Sequence, residues 1–468
     1  MDAPTPLPPD LLASLPPSVV AFIHWQTEQI NRLTARVAEL EAKLKINPTN
    51  SSKPPSSTHP HDKPNNNKPK STRKPGGQPG HEKHERPLLP PDQCQQVVPC
   101  VPIECRRCGK DLHGVDPDPL RHQVWEIPEI KPIVTEYQQH RLTCSCGCST
   151  CGELPQGVPT GQAGPRLVAF SALLMACFRQ SKRRAAQFLS MILNQPASAA
   201  WMVILQNRAA EAVLPAYNEL AKKLTSEPML NIDESPTKEG DNNAWVWTFV
   251  ATNYTYFVCA TSRAAEVAKN VLGADYDGII HCDRARMYFC FGRLQWCWAH
   301  LKRDFQKWID DTCPVRQKLG GDLMKETKKI FALWSRVRDG TLSRPDFSQQ
   351  MEPIRKRVER VLLRAYIEPE TDAIAKELVE RIDNLWTFVD VEGVEPTNNA
   401  AEQALRHAVI WRKLSFGTQS ATGSRFVERM LTVIETCRRQ TRDAFNWLTA
   451  AIEAKFQRTS TPSLLSDG

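Results

Sequence analysis

Two short apolar runs, each ending on an aspartate, constrain this chain more than any other feature. Met229-Leu230-Asn231-Ile232-Asp233 is followed by Ser235-Pro236, which should break a strand and leave the carboxylate at its mouth. Gly278-Ile279-Ile280-His281-Cys282-Asp283 is apolar enough for a buried strand. Between them, Ala244-Trp245-Val246-Trp247-Thr248-Phe249-Val250 and Thr255-Tyr256-Phe257-Val258-Cys259 read as a hairpin turning near Asn253-Tyr254, rich in aromatic and branched residues. A helix from about Arg263 to Leu272 then crosses over to the second aspartate. Side chains alternate along a strand, so only one of Asp233 and Glu234 faces the same site as Asp283, and we take Asp233.

A third carboxylate stands in Pro396-Thr397-Asn398-Asn399-Ala400-Ala401-Glu402-Gln403-Ala404-Leu405-Arg406. Asn398 or Asn399 caps a helix there, which puts Glu402 and Arg406 one turn apart on one face. Read alone, that segment is a capping-box glutamate with a helical ion pair. Read with the two aspartates, it completes three acids from separate elements. Two hard divalent cations, about 3.5 to 4 Å apart, need such oxygen ligands while positions stay open for phosphate and water. Three consecutive strands, a helix and a further strand are the opening order of a ribonuclease H-like fold, and the acids point to phosphoryl transfer on nucleic-acid strands.

Nearly the whole chain resembles the transposases of the insertion sequence 66 family, which carry an Asp-Asp-Glu triad. The resemblance is carried by Asn50-Ser51-Ser52-Lys53-Pro54-Pro55-Ser56, Lys74-Pro75-Gly76-Gly77-Gln78-Pro79-Gly80-His81, Gly164-Pro165-Arg166-Leu167, Cys297-Trp298-Ala299-His300 and the Thr397 to Arg406 stretch. It implies a triad of Asp233, Asp283 and Glu402 holding two Mg2+ or Mn2+ ions, used to cut the ends of an insertion sequence and join them to target DNA. Members commonly have Gly-Tyr after the second aspartate, whereas here Arg284-Ala285-Arg286-Met287-Tyr288 follows Asp283. Two other activities use the same residues: a nuclease that cuts without joining, and a catalytically dead DNA-binding regulator.

Eight of the 15 cysteines fall between Cys94 and Cys151, a clustering that suggests metal ligation more than disulfides. Cys105-Arg106-Arg107-Cys108-Gly109 is half of a structural Zn2+ site. The other half comes from Cys144, Cys146, Cys148 and Cys151, brought near by strands at Gln123 to Pro128 and Ile133 to Tyr137 as a zinc ribbon. The resemblance implies Cys144 with Cys146 first and Cys148 with Cys151 second. Cys297-Trp298-Ala299-His300 reads more simply as a strand leading into a helix from Leu301 to Ile309, with His300 approaching the DNA or the acidic site.

The net charge of +8 is concentrated: from Ile46 to Pro87, eight Lys or Arg face three acids. That segment is rich in Pro, Asn, Ser and Gly with almost no large apolar side chain, so it reads as a disordered basic tether that contacts DNA phosphates. Before it, Ile30, Leu33, Val37, Leu40 and Leu44 form a short coiled-coil seam suited to self-association. Arg183-Arg184-Ala185-Ala186-Gln187-Phe188-Leu189, a break at Asn194-Gln195-Pro196 and a helix from Ser198 resemble a helix-turn-helix. Arg183, Arg184, Arg406, Arg412 and Lys413 are the folded-region DNA contacts this reading selects.

The expected architecture is multidomain α/β. It comprises an N-terminal helix or coiled coil at 1–46, a basic linker at 47–90, a zinc-binding domain at 91–157 and a helical region at 158–224. A ribonuclease H-like mixed-sheet core follows at 225–312, interrupted by a helical insertion at 313–394, completed at 395–457 and ending in a tail at 458–468. The longest apolar stretch, Leu167 to Phe178, is too short to span a bilayer, and no basic region with an apolar core opens the chain. Expected partners are element ends and target DNA, a second copy through the N-terminal helix and accessory proteins of the same element. The expected setting is cytoplasmic and nucleoid-associated.

Overall fold

Strand β3 (Met229–Glu239) is the axis of a five-stranded mixed sheet. On one side it pairs antiparallel with β4 (Asn242–Val250), which pairs antiparallel with β5 (Thr255–Ala260). On the other it runs parallel to β6 (Ile279–Cys282), itself parallel to β7 (Leu294–Trp296). The spatial order is β5-β4-β3-β6-β7, and α6 (Ala265–Leu272) carries the chain from β5 toward β6. The computed structural model describes residues 15–44, 86–368 and 373–465. The basic segment and chain ends lie outside these, apart from residues 86–90 of the former and 458–465 of the latter.

Pro236 does not end β3, contrary to the sequence expectation. The parallel ladder to β6 stops at Asn231↔His281, while the antiparallel ladder continues through Pro236↔Trp245 to Glu239↔Asn242. Between Asn231 and the isolated parallel bridge Glu239↔Thr418, one side of β3 has no strand neighbour among the described residues, and a proline without an N–H is tolerated where that side is unpaired. Asp233 therefore sits inside a long strand, two residues past the point where β6 leaves it.

The pairs Asn231↔Val250, Asp233↔Thr248 and Ser235↔Val246 define one face of the sheet. That face is covered by α12 (Asn399–Ser415) and α13 (Ala421–Arg439), with Val246, Val250 and Phe257 buried against Ala401, Ala404, Ala408 and Leu431. The opposite face, Leu230, Ile232, Trp247 and Phe249, enters the main core. There α5 (Leu214–Leu224) packs on β5, stacking Tyr217 on Tyr256 at 4.4 Å between centroids.

Helix α13 also satisfies the edge of β5. Glu428 Oε2 accepts from Cys259 N at 2.9 Å, Thr432 Oγ1 from Phe257 N at 3.0 Å, and Thr436 Oγ1 from Thr255 N at 3.1 Å. Four helical residues advance about 6 Å and two strand residues nearly the same. One helix face thus follows alternate N–H groups that an edge strand would otherwise expose.

Ahead of the sheet lie α2 (Pro165–Ala176), α3 (Lys182–Ile192) and α4 (Ala199–Ala212). The expected helix pair forms, with Ser181 and Ser198 as side-chain N-caps. Helix α4 packs on α2, α3, α13 and α14 (Ala444–Gln457), and among its outward residues are Val203 and Ile204. Between β7 and α12 come α7 (Trp298–Ile309), α8 (Pro314–Arg338), α9 (Arg344–Ile367), α10 (Ala373–Glu380) and α11 (Thr387–Asp390). Helices α8 and α9 pack on each other.

The chain divides into two compact units, residues 60–133 and residues 1–59 with 134–468. Within the first, the strand expected at Gln123 to Pro128 is absent among the described residues, as is the Ile133 to Tyr137 strand across the boundary. Val124 is 81% and Ile133 98% exposed, and Pro128 and Pro132 cannot donate to a ladder, so nothing in burial or pairing favours sheet there. In the second unit a small hairpin joins β1 (Arg141–Thr143) to β2 (Ser149–Cys151). Helix α1 (Pro17–Leu44) leaves Phe22, Trp25, Ile30, Leu33 and Val37 exposed.

Candidate active site

The sheet and α12 bring Asp233, Asp283 and Glu402 together. Asp283 directly follows β6, and Glu402 lies in the first turn of α12, on the Asp233 face of β3. Burial pushes the Asp233 carboxyl well above its ordinary range, and the charges of Glu234, Asp283 and Glu402 push it further. Such mutual repulsion identifies a site short of positive charge. Asp233 Oδ1 accepts from Glu234 N and Asp283 Oδ1 from Ala285 N, each at 2.9 Å. Asp275 and Asp277 precede β6, one strand length away from Asp283 at its far end.

Helix α12 is fastened to β3 by Asn398 and Arg412, in a role that the sequence did not assign to either. Asn398 occupies its N-cap, yet its amide makes no cap bond. It accepts instead from Asn231 Nδ2 at 2.9 Å and donates to Ile232 O at 2.7 Å. At the other end Arg412 Nη1 reaches Ser235 Oγ at 3.3 Å and the carbonyl of Pro236. Asn398, Glu402 and Arg412 thus follow Asn231, Asp233 and Ser235 along one strand face.

Glu234 points to the other face, as alternation requires. Its Oε1 is paired with Arg263 at 2.7 Å and its Oε2 accepts from Tyr288 Oη at 2.6 Å, leaving the side chain 2% exposed. Where the family commonly has Gly-Tyr, Arg284 pins the loop after Asp283, bonding Asp304 of α7 at 3.0 Å and Glu377 of α10. Tyr288 returns four residues later to hold Glu234.

The Cys297-Trp298-Ala299-His300 segment is the hinge of the site. Cys297 N donates to Cys282 O at 3.0 Å beside Asp283, and Trp298 N donates to Pro396 O at 2.8 Å ahead of α12. The Trp298 indole N–H bonds Leu385 O at 2.8 Å. Burial pushes the Cys297 thiol up to about 11, against backbone N–H groups of Asn398, His300 and Ala299 that face its sulfur. His300 Nδ1 lies 3.6 Å from Glu402 Oε1, and both atoms are buried with no hydrogen-bond partner. Cys297, His300 and Glu402 offer ligand atoms within 4.8 Å of one another.

The zinc-type cysteines fall in both units. In the Cys105 to Cys108 turn, Gly109 N donates to Cys105 O at 2.9 Å with Gly109 at φ +68°. The N–H groups of Arg107 and Cys108 lower the Cys105 thiol. The β1–β2 turn is related but one residue shorter: Gly147 N donates to Cys144 O, three residues back rather than four, at 2.9 Å with Gly147 at φ +85°, and the Cys146 N–H lowers the Cys144 thiol. Cys148 and Cys151 are exposed, with Cys151 Sγ at 3.8 Å from Gln139 O. Of the selected basic residues, Arg183, Arg184, Arg406 and Lys413 are exposed, whereas Arg412 is half-buried against β3.

A family model described as Transposase IS66 family matches residues 160–425, more than half of the chain and all of the acidic site. This chain belongs to the IS66 transposase family. The N-terminal helix and basic segment of this transposase match a second model, Family of unknown function (DUF6444), over residues 19–87. It is 22% identical over 419 residues to Uncharacterized protein y4hP of Sinorhizobium fredii (strain NBRC 101917 / NGR234), covering 76% of this chain and 71% of that one. Uncharacterized protein y4qI of the same strain is 22% identical over 400 residues, covering 77% and 72%. Among the described residues, no helix is long and apolar enough to cross a membrane.

Proposed function

We propose that this transposase cuts the ends of its insertion sequence and joins them to target DNA at a ribonuclease H-like site formed by Asp233, Asp283 and Glu402. The observation that carries the reading is the convergence of these three carboxylates from β3, the end of β6 and the first turn of α12. The sheet order, with an antiparallel hairpin on one side of β3 and parallel strands on the other, agrees with that fold.

The residues fit a pair of divalent cations. Burial first and then its carboxylate neighbours disfavour the Asp233 anion, and Glu402 Oε1 is buried without a hydrogen-bond partner. Magnesium or manganese bound there would activate water and then a 3′-hydroxyl, and stabilise the leaving oxygen. The chain's part is to hold ligands still. Backbone N–H groups take one oxygen each of Asp233 and Asp283, which fixes the direction of the other oxygen. Arg263 and Tyr288 keep Glu234 on the opposite face, so that it does not compete.

Exposed Arg183, Arg184, Arg406 and Lys413 are proposed phosphate contacts, with the basic segment between Ile46 and Pro87 as a further one. Arg412 is proposed as a phosphate contact as well, with its Nη1 fastening α12 on β3. Cys105, Cys108, Cys144 and Cys146 are proposed to hold one structural zinc on the close spacing of each pair, and backbone N–H groups lower the Cys105 and Cys144 thiols. The exposed Ile30, Leu33 and Val37 of α1 are proposed to pair with a second copy.

The test is cleavage and strand transfer with element-end DNA. Asp233→Asn, Asp283→Asn and Glu402→Gln should each lower both activities by about a thousandfold or more, because metal-held charge supplies several kcal/mol. End binding should be retained. Full activity in Asp283→Asn would remove that residue from the site, and cleavage without joining by the wild type would make the protein a nuclease.

A further inference from the structure

We propose that Cys297, His300 and Glu402 form a second metal site, taking one zinc-class divalent cation beside the three-carboxylate site. Cys297 is the N-cap of α7 and His300 its third residue, so sulfur and imidazole face one direction from a single helical turn. Glu402 reaches the same point from the first turn of α12. The separation of His300 Nδ1 and Glu402 Oε1, 3.6 Å, is a donor spacing expected around a tetrahedral ion with bonds of about 2.0 to 2.3 Å. The three ligand atoms lie within 4.8 Å of one another, so closing onto an ion needs only a small side-chain rotation.

The donor set decides the class of cation. One sulfur, one imidazole nitrogen and one carboxylate oxygen are ligands of zinc or cobalt, whereas magnesium requires a shell of oxygens. Asn398 N donates to the Cys297 sulfur at 3.2 Å, which fixes its direction; burial disfavours the free thiolate there, so the sulfur gives up its proton only in exchange for a cation. Both His300 Nδ1 and Glu402 Oε1 are buried polar atoms without a hydrogen-bond partner, a cost that a shared cation removes. An ion bound here also draws on the glutamate of the acidic site. That competition rests on the function proposed above, whereas the binding itself does not.

The test is titration of the metal-free full-length protein with Co2+, following the thiolate-to-cobalt charge-transfer absorption. Any site built from the other cysteines contributes equally to every protein compared. The wild type should bind one Co2+ more than Cys297→Ser, and His300→Gln should weaken that equivalent by at least about tenfold. Asp233→Asn should keep it while losing strand cleavage, which separates this site from the acidic one. Equal stoichiometry and affinity in the wild type and His300→Gln would overturn the proposal, even if Cys297→Ser fails to fold.

Discussion

Asn231 Nδ2 donates to Asn398 Oδ1 at 2.9 Å, joining the middle strand of the sheet to the helix that carries Glu402. The same Asn398 amide donates to Ile232 O, so one side chain holds β3 by both side chain and backbone. Glu402 lies one turn further along the helix and Asp233 two residues further along the strand. The distance between those two carboxylates is therefore set by the asparagine pair.

Asn398→Ala should destabilise the protein by about 2 to 4 kcal/mol, because it leaves a strand carbonyl and the Asn231 amide without their partner. A double-mutant cycle with Asn231→Ala should show coupling of about 0.5 to 3 kcal/mol. Thermal or denaturant unfolding measures both quantities. Additive losses would mean that the two amides act separately and that other contacts set the position of Glu402.

Glu428 gives stability a pH dependence of defined sign. Burial pushes its carboxyl up from 4.5 to about 7, against the pull of Arg425 and the Cys259 N–H. A carboxyl raised on folding stabilises the protein fully below about pH 4.5 and loses that contribution as pH rises to about 7, by roughly 2 to 4 kcal/mol. Buried His281, pushed down to about 4, acts in the opposite sense between that value and its ordinary 6.5. Comparison with Glu428→Gln cancels the histidine. The melting temperature of the variant relative to wild type should rise between pH 5 and pH 8, and a constant difference would place the Glu428 carboxyl in its ordinary range.

The sheet was legible because the signals that specify it are local. The aromatic and branched runs at 244–250 and 255–259, the helix ending at Leu272 and the strand before Asp283 all occur where their side-chain types place them. Pro236 misled, since whether proline ends a strand depends on which neighbouring strand has already departed. The Asn231–Asn398 bond, the Arg263–Glu234–Tyr288 anchor and the meeting of His300 with Glu402 join residues 29 to 167 positions apart or more than one element away. No spacing rule reveals such contacts. Strands were expected at 123–137 from composition alone, but there the apolar side chains remain exposed.

Zinc content should separate the two pairs that compete for the downstream half of the cysteine site. Cys105→Ser with Cys108→Ser should lower the zinc bound to the full-length protein by one ion, measured by elemental analysis after dialysis. Cys144→Ser with Cys146→Ser should remove the same ion, because backbone N–H groups lower the Cys144 thiol as they lower Cys105. Retention of zinc in the latter variant would transfer the role to Cys148 and Cys151.

Deleting Lys53 to Arg86 removes eight basic residues and three acids from a segment with almost no large apolar side chain. Such a sequence attracts phosphate but offers few groups with which to read base edges, so the deletion should weaken binding to all DNA. Each lost phosphate contact removes about 0.9 from the slope of log affinity against log salt, so the slope should flatten by several units, up to about 7. The ratio of element-end to random-DNA affinity should stay nearly constant, because discrimination is assigned to folded elements that include exposed Arg183 and Arg184 at the start of α3. An unchanged salt slope would make the segment a spacer. Selective loss of end discrimination would move sequence recognition out of the α3–α4 region and into the segment itself.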